Sequence, residues 1–461
     1  MKISTSSEKI SRAVDIALKD IGINIKPFRS GLLLEEKPVL LAGADYDRPW
    51  TRDASINTYN FMAFYNREVA LNTLVSVLRR EADGIYVGGQ YWDSIIWALG
   101  AESYIDITGD EEFADIAVEA VKNSLAYFEA NEYSRDMGLF RGPAVYGDGV
   151  SAYPDDYGIS GRSGSILDWP KANPERAART GYGIPMHTLS TNCAYYNAYM
   201  MVSRLSGDTV YMNKAGRLKN SILENFFDKG KLKYVTGPFG DHYEQEGLGI
   251  SLGLLFGVLP GCVLDTVVST KNGIPCVHPP YVRYVSGSDM GRHSGTVWPF
   301  INCFYAVEAL KRHRNHTFDS EFFKLADNAV RDGQFYEIYH PKTGMPYGGL
   351  QESHRSEGFA MLKSCEHQAW NATGFMSMIL HGIAGIRISG LGMSLDPYLP
   401  PGVGNISING LKYRNTELSI KIEGSGRIPE AVSVNGKKQH TACIDPEASG
   451  DITIEIIMKG N

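Results

Sequence analysis

Apolar residues recur at intervals of three and four along most of the chain, up to about Ile386. That spacing predicts amphipathic or buried helices over residues 8–20, 52–65, 66–80, 91–107, 111–130, 187–206, 208–227, 245–258, 261–270, 295–313, 318–332 and 367–385. Boundary signals support several of them: Asp110-Glu111-Glu112 opens one helix, and Ser206-Gly207-Asp208 separates two. After Ile386 the period changes to two. Ser407–Asn409, Thr416–Ile422, Ala431–Asn435 and Asp451–Met458 alternate apolar with polar, as strands do, and Pro401-Gly402, Asn409-Gly410 and Asn435-Gly436 read as turns. Helices first and strands last argue against a parallel α/β sheet.

The chain therefore reads as mostly α: a helical domain over residues 1–386 and a small antiparallel, β-sandwich-like module over 387–461. Twelve helices can close as six inner and six outer ones, an (α/α)6 toroid whose inner-helix ends and loops converge on one pocket. The loops 132–186 and 271–294 are too long for structureless connections, and long ordered loops usually carry function.

Composition narrows the classes. With 461 residues, 43% hydrophobic and 21% charged, the chain is globular rather than disordered. A net charge of −7 without basic clusters argues against nucleic acid as partner. The longest apolar run, Gly249 to Leu264, is broken by glycines and Pro260, so no membrane span is expected. The N-terminus lacks the apolar stretch of a signal peptide, which places the chain in the cytoplasm if nothing precedes it. Cys193, Cys262, Cys276, Cys303, Cys365 and Cys443 lie far apart without metal spacing, and read as buried free thiols. Asp155-Asp156 and Asp45/Asp47 offer oxygen to Ca²⁺ but lack EF-hand spacing, so neither metal nor other cofactor is expected. Twenty-six Tyr, 18 Phe, 6 Trp and 49 Gly suit a pocket that stacks flat ligand faces, and equally suit a large aromatic core.

Three segments carry residues that a packed core or solvated loop does not need. Trp50-Thr51-Arg52-Asp53 sits just before an apolar helix. There Arg and Asp can grip vicinal hydroxyls while Trp covers a ring face; the plain alternative is an N-cap aspartate with a salt bridge. Asp148, hemmed by Gly147 and Gly149, can be approached closely, and Val145 and Tyr146 can dry it, raising its pKa as a general acid requires. The alternative is a turn aspartate satisfied by backbone amides. Glu337, between aromatics before a Pro/Gly turn, can hold a water against a sugar carbon, or simply end a helix.

Further candidates stand behind these. Gln90, Trp92 and Asp93 open another apolar helix as substrate contacts, or cap and pack it. His293 and Trp298 flank a Gly-Thr-Val-Trp-Pro turn as a pocket wall, and Trp370 begins the last helix. His187, Asn192 and Tyr196 read more naturally as core hydrogen-bonders. Glu366 is the second choice of base, and Arg283 and Arg292 can meet an extended substrate, although solvent exposure is the simpler reading.

In order, WTRD (50–53), GLFRG…YGDG (138–149), GTVWPF (295–300), YEIYHPKTG (336–344) and QAWNATGF (368–375) resemble the six-hairpin glycosidases. These are (α/α)6-barrel enzymes such as inverting glycoside hydrolases of families 63, 37 and 15, with family 63 the nearest. The resemblance spans residues 45–386. It implies that Arg52 and Asp53 bind sugar hydroxyls, that Asp148 is the general acid and that Glu337 is the general base. The acid's surroundings, YGDGVSAYP, depart from the tryptophan-rich context of relatives, which leaves Asp155 or Asp156 as alternative acids.

The leading expectation is an exo-acting, inverting glycoside hydrolase on a short α-glucoside or related oligosaccharide, with the two carboxyls ~6.5–9.5 Å apart. The alternatives are a glycoside phosphorylase, which would lack the base, an epimerase using His187, His293 and His367, and a non-catalytic carbohydrate-binding protein. The sugar, its anomer and linkage, and the oligomeric state are left open by the sequence.

Overall fold

Eleven helices of seven residues or more carry the chain up to Ile383 in a computed structural model, which describes residues 1–460 other than 91, 160–163, 178–183, 229 and 353–357. They are α1 (Glu8–Asn24), α2 (Thr51–Asn57), α3 (Arg67–Ser76), α4 (Asp93–Thr108), α5 (Glu111–Asn131), α6 (Leu189–Ser206), α7 (Thr209–Phe226), α8 (Gly247–Leu255), α9 (Pro299–Lys311), α10 (Asn315–Asp332) and α11 (Ala369–Ser377). The predicted boundary residues do what their chemistry suggests. Asp110 accepts from the Phe113 amide at 2.9 Å to open α5, left-handed Gly207 (φ 70°) ends α6, and Asp208 accepts from Val210 at 2.9 Å to open α7.

Three helix expectations change. The end of the helix foreseen over 66–80 is instead a strand, Leu78–Glu81, paired with Gly84–Val87. The helix foreseen over 261–270 is a 3-10 stretch, Gly261–Thr266, entered from Pro260. α2 and α11 each loosen into a π-helical segment, Thr58–Met62 and Met378–Ile383, where regular helices were expected.

Burial sorts the helices into two kinds. α4 and α8 are buried nearly all round, whereas α1, α7 and α10 bury one stripe each. The all-round kind forms a cycle: α2 packs on α4, α4 on α6, α6 on α8, α8 on α9, α9 on α11, and α11 back on α2. The others lie outside it, α3 on α4, α5 on α4 and α6, α7 on α6, α10 on α9, and α1 on α10 and α11. First turns of cycle neighbours meet. Arg52 of α2 reaches Asp93 of α4, Glu246 before α8 accepts from the Ser190 amide of α6, and Asn371 of α11 accepts from the Phe300 amide of α9.

The strand region forms two sheets. β1 (Lys2–Thr5), β4 (Ile406–Tyr413), β5 (Asn415–Glu423), β9 (Ser449–Met458), β6 (Pro429–Val434) and β7 (Lys437–Gln439) build one six-stranded sheet in that spatial order. β2 (Ile386–Ser389), β3 (Gly392–Leu395) and β8 (Ala442–Ile444) build the other. The larger sheet is not wholly antiparallel, because β5 and β9 run parallel. The intervening 424–448 segment is long enough to bring the chain back in the same direction. Its edge strand comes from the N-terminus: Lys2–Thr5, expected among the helices, pairs with Ile406–Asn409. Asn435-Gly436, with φ 48° and 73°, makes the expected two-residue hairpin. Asn409-Gly410 is instead a bulge inside β4. Four cysteines are buried, while Cys262 and Cys443 are exposed rather than buried as expected, and all six are free thiols.

Candidate active site

The first turns of α2, α9 and α11 wall one cavity of about 220 Å³, which the loops carrying Asp148, Arg292 and Glu337 complete. Trp50, Arg52, Asp53, Asp148, His293, Trp298, Glu337 and Trp370 all line it, so residues scattered over 320 positions of sequence meet in one place. Helix N-termini carry partial positive charge, which favours acidic groups such as Asp53 and Asp93 in these first turns.

Asp148 and Glu337 are held differently. The Glu337 backbone is pinned by its amide to the Cys365 carbonyl at 2.9 Å, and its own carbonyl accepts from Asn371 Nδ2 at 3.1 Å. Its carboxylate accepts from Tyr46 Oη at 3.0 Å and from the Arg292 guanidinium. Arg292 in turn lies over the Trp298 ring, 5.3 Å from its centroid. Asp148 lies 3.4 Å from Arg52 Nη2 and 3.3 Å from His293 Nε2, with its side chain 29% exposed.

The expectation that a dry pocket raises the Asp148 pKa is not met. Burial does push the carboxyl up, but the guanidiniums, Arg52 foremost and then Arg292, outweigh it and hold it below the usual range. Nor do the flanking glycines open a path for ligand. A side chain at Gly147 would strike Tyr153 Oη, and one at Gly149 would strike the His293 ring, so both make room for protein. The raised carboxyls are Asp53, pushed to about 8, and Asp93, pushed to about 7, in both cases chiefly by burial and against the pull of Arg52. Burial, reinforced by Arg292 and Arg52, lowers His293 to about 3 despite Asp148, so its imidazole is neutral. It stacks on Trp298 with centroids 4.9 Å apart.

Gln90, Trp92 and Asp93 stand one layer behind the cavity wall. Gln90 Oε1 accepts from Arg52 Nη1 at 2.9 Å, Asp93 pairs with Arg52 Nε at 3.4 Å, and fully buried Trp92 packs under the same guanidinium. They aim Arg52 rather than border the cavity. Gln90 also borders a larger groove of about 880 Å³, which neither of the two predicted catalytic carboxyls lines.

Asp155, Asp156 and Glu366 are exposed and line no part of the cavity. His187 faces the Thr236 carbonyl and His367 pairs with Asp20 at 2.7 Å, which leaves His293 as the one histidine of the expected three on the cavity. Arg283 pairs with Glu352 away from it. Asn192 bonds both the amide and the carbonyl of Phe140, a core role.

Tyr46, Ser165 and Gln351 line the cavity without having been singled out, Tyr146 and Gln368 line it as neighbours of Asp148 and Trp370 within the noted motifs, and Arg292 lines it although exposure was the simpler reading. Tyr46 stands in the same run as Trp50, so its place was within reach of the motif. Ser165 and Gln351 carry no sequence signal, because loop closure alone brings them there. Among the described residues, no cluster of three His, Cys, Asp or Glu side chains suits a metal ion, and no helix is long and apolar enough to cross a membrane.

Solved structures share this fold. A sialidase is similar with TM-score 0.65 and 14% identity, covering 95% of this chain. A family GH78 rhamnosidase from a Bacillus species is similar with TM-score 0.58 and 13% identity over the whole of this chain. The chain spans 40% of that sialidase and 44% of that rhamnosidase. A GH63 mannosylglycerate hydrolase of Thermus thermophilus, in complex with glucose, is similar with TM-score 0.54 and 15% identity, covering 79% of this chain and 98% of the enzyme. At 13–15% identity, the likeness to these structures is one of fold. No protein-family model and no curated sequence matches the chain.

Proposed function

We propose that this protein is a glycoside hydrolase that works by inversion on an (α/α)6 toroid, with Asp148 as general acid and Glu337 as general base. The observation that carries the reading is that these two carboxyls, far apart in sequence, line one small cavity walled by Trp50, Trp298 and Trp370. The helix cycle supports the toroid, and residues 387–461 serve as an accessory β module tied to the N-terminus through β1.

Glu337 is set to take a proton from water. Its carboxylate is paired with Arg292, and Tyr46 fixes its direction. Asp148 must hold a proton to release the leaving group. Its carboxylate is paired with Arg52 and lies 3.3 Å from the neutral His293 imidazole. A sugar hydroxyl that draws Arg52 away leaves burial as the dominant influence, and burial favours the protonated acid. The cavity volume falls below the ~300–1,000 Å³ of sites for larger ligands, which suits one sugar ring and exo action on a short glycoside such as an α-glucoside. Because Glu337 borders the cavity, water rather than phosphate is the better nucleophile.

The test is turnover on a panel of nitrophenyl glycosides and disaccharides, with the anomer of the first product read by NMR. Inverted configuration is expected. A product released first with retained configuration removes the inverting scheme, and no turnover of any glycoside removes the hydrolase reading.

A further inference from the structure

Among the described residues that line the cavity, none comes from the first turn of α6, although Thr188, Ser190, Thr191 and Asn192 there are all polar and fully buried. Buried polar side chains are costly unless each meets a partner, and here the partners share one segment. Asn192 answers both the amide and the carbonyl of Phe140. Thr188 Oγ1 donates to the Gly142 carbonyl at 3.0 Å, Thr191 Oγ1 donates to that of Pro143 at 2.5 Å, and Ser190 Oγ accepts from the Val145 amide at 3.1 Å. The segment 140–145 is therefore held step by step along α6, and it leads directly to Asp148. Ser190 is itself fixed from the residue before α8, where Glu246 accepts its amide at 3.0 Å.

Tyr153 closes the same stretch from the other side of the acid. The chain turns back through the 3-10 stretch Val150–Ala152 and delivers a buried ring to the turn. Its Oη accepts from the Ala144 amide at 2.9 Å and donates to the Gly147 carbonyl. One hydroxyl thus ties both ends of the 144–147 turn, ending on the residue just before Asp148. A Cβ at Gly147 would lie 2.5 Å from that Oη, so glycine lets the phenol in. Beyond the turn, the Asp148 carbonyl accepts from the Ile166 amide at 2.8 Å. None of these bonds reaches the Asp148 carboxyl, so they fix where it stands and not what it pairs with.

We propose that Tyr153 and Ser190 are positioning residues for the general acid, fixing the backbone from which Asp148 reaches the oxygen of the leaving group. This rests on the glycoside hydrolase reading above. A reacting group misplaced by about 1 Å can lose about 10²-fold in rate. Loosening the turn should weaken protonation of the leaving group and spare the step at Glu337, whose backbone is pinned separately by Cys365 and Asn371.

The test compares kcat/KM for a methyl glycoside, whose leaving group needs a proton, with that for the glycosyl fluoride of the same sugar, which needs none. The sugar is one that wild type hydrolyses. The methyl-to-fluoride ratio should fall by about 10²–10⁴ in Asp148→Asn, by about 10² in Tyr153→Phe and by about tenfold in Ser190→Ala. Fluoride turnover itself should stay near wild type in both positioning variants. Tyr157→Phe controls for general loosening: Tyr157 is equally buried in the same loop, but its Oη donates to the Pro185 carbonyl at 3.3 Å rather than to the acid's turn. Its ratio should equal that of wild type. Thermal unfolding checks that each variant folds, and Ser190→Ala carries the test should Tyr153→Phe not fold. An unchanged ratio in a folded variant removes that residue from the proposal, and a ratio that falls as far in Tyr157→Phe removes both. A lowered ratio in Asp148→Asn with unchanged ratios in Tyr153→Phe and Ser190→Ala overturns the proposal alone. A wild-type ratio in Asp148→Asn overturns the acid assignment and the proposal together, as does wild type that hydrolyses no glycoside.

Discussion

Glu337 offers a perturbation whose structural and chemical effects separate. Its side chain is 2% exposed and pairs with Arg292, itself 13% exposed. Glu337→Ala strands that guanidinium, and breaking a buried pair from one side costs about 3–5 kcal/mol. Glu337→Gln keeps an amide oxygen for Arg292 or Tyr46 and loses the charge, so the cost falls to about 1.5–3 kcal/mol, that of a hydrogen bond to a charged group. Both variants lose the base, and turnover should drop by about 10²–10⁴, equivalent to roughly 3–5 kcal/mol of barrier. Urea unfolding measures the first quantity, and single-turnover hydrolysis of a nitrophenyl glycoside the second. Glu337→Gln with more than a tenth of wild-type turnover refutes the base. Glu337→Ala as stable as wild type refutes the Arg292 clamp, whatever happens to activity.

Three further outcomes are expected. Asp53 is raised from 3.8 to about 8 in the folded chain, so the native state holds a proton that the unfolded state releases across that range. Its stability contribution is therefore present below about pH 4 and lost as pH climbs toward 8, and Asp53→Asn should gain on wild type in urea melts over that window; a difference that stays flat with pH contradicts it. Asp148→Asn should slow glycosides with poor leaving groups far more than glycosyl fluorides or dinitrophenyl glycosides, which need no proton; equal losses speak against Asp148 as acid. Trp92→Ala should cost about 3–5 kcal/mol in unfolding, whereas Trp92→Phe should keep KM near wild type, because Trp92 is core beneath Arg52 and not a sugar contact.

The outer helices were legible because each buries a stripe whose spacing is written locally, the inner ones α4 and α8 as apolar runs buried all round, and the caps at Asp110, Gly207 and Asp208 act within a few residues of themselves. Trp50, Arg52 and Asp53 were legible for a related reason, since helix first turns that face a pocket carry polar residues a core would reject. Gln90, Trp92 and Asp93 look the same in sequence. They stand behind the wall because Arg52 lies between them and the cavity, a layering that periodicity does not encode. Arg292 has the sequence surroundings of a solvated loop residue, and only its ring contact with Trp298 and its pair with Glu337 reveal its place.

By itself the chain determined its helices, its change to strands after Ile386 and the candidate acids, since these depend on neighbours within a few residues. Tertiary structure alone decided that β1 joins the C-terminal sheet, that β5 and β9 run parallel, and that Gln351 and Gln368 border the cavity. It also decided the charge state of Asp148, because two arginines contributed by other segments outweigh the burial that sequence could foresee. Such long-range pairings depend on how chain segments close in space, and no local pattern records that.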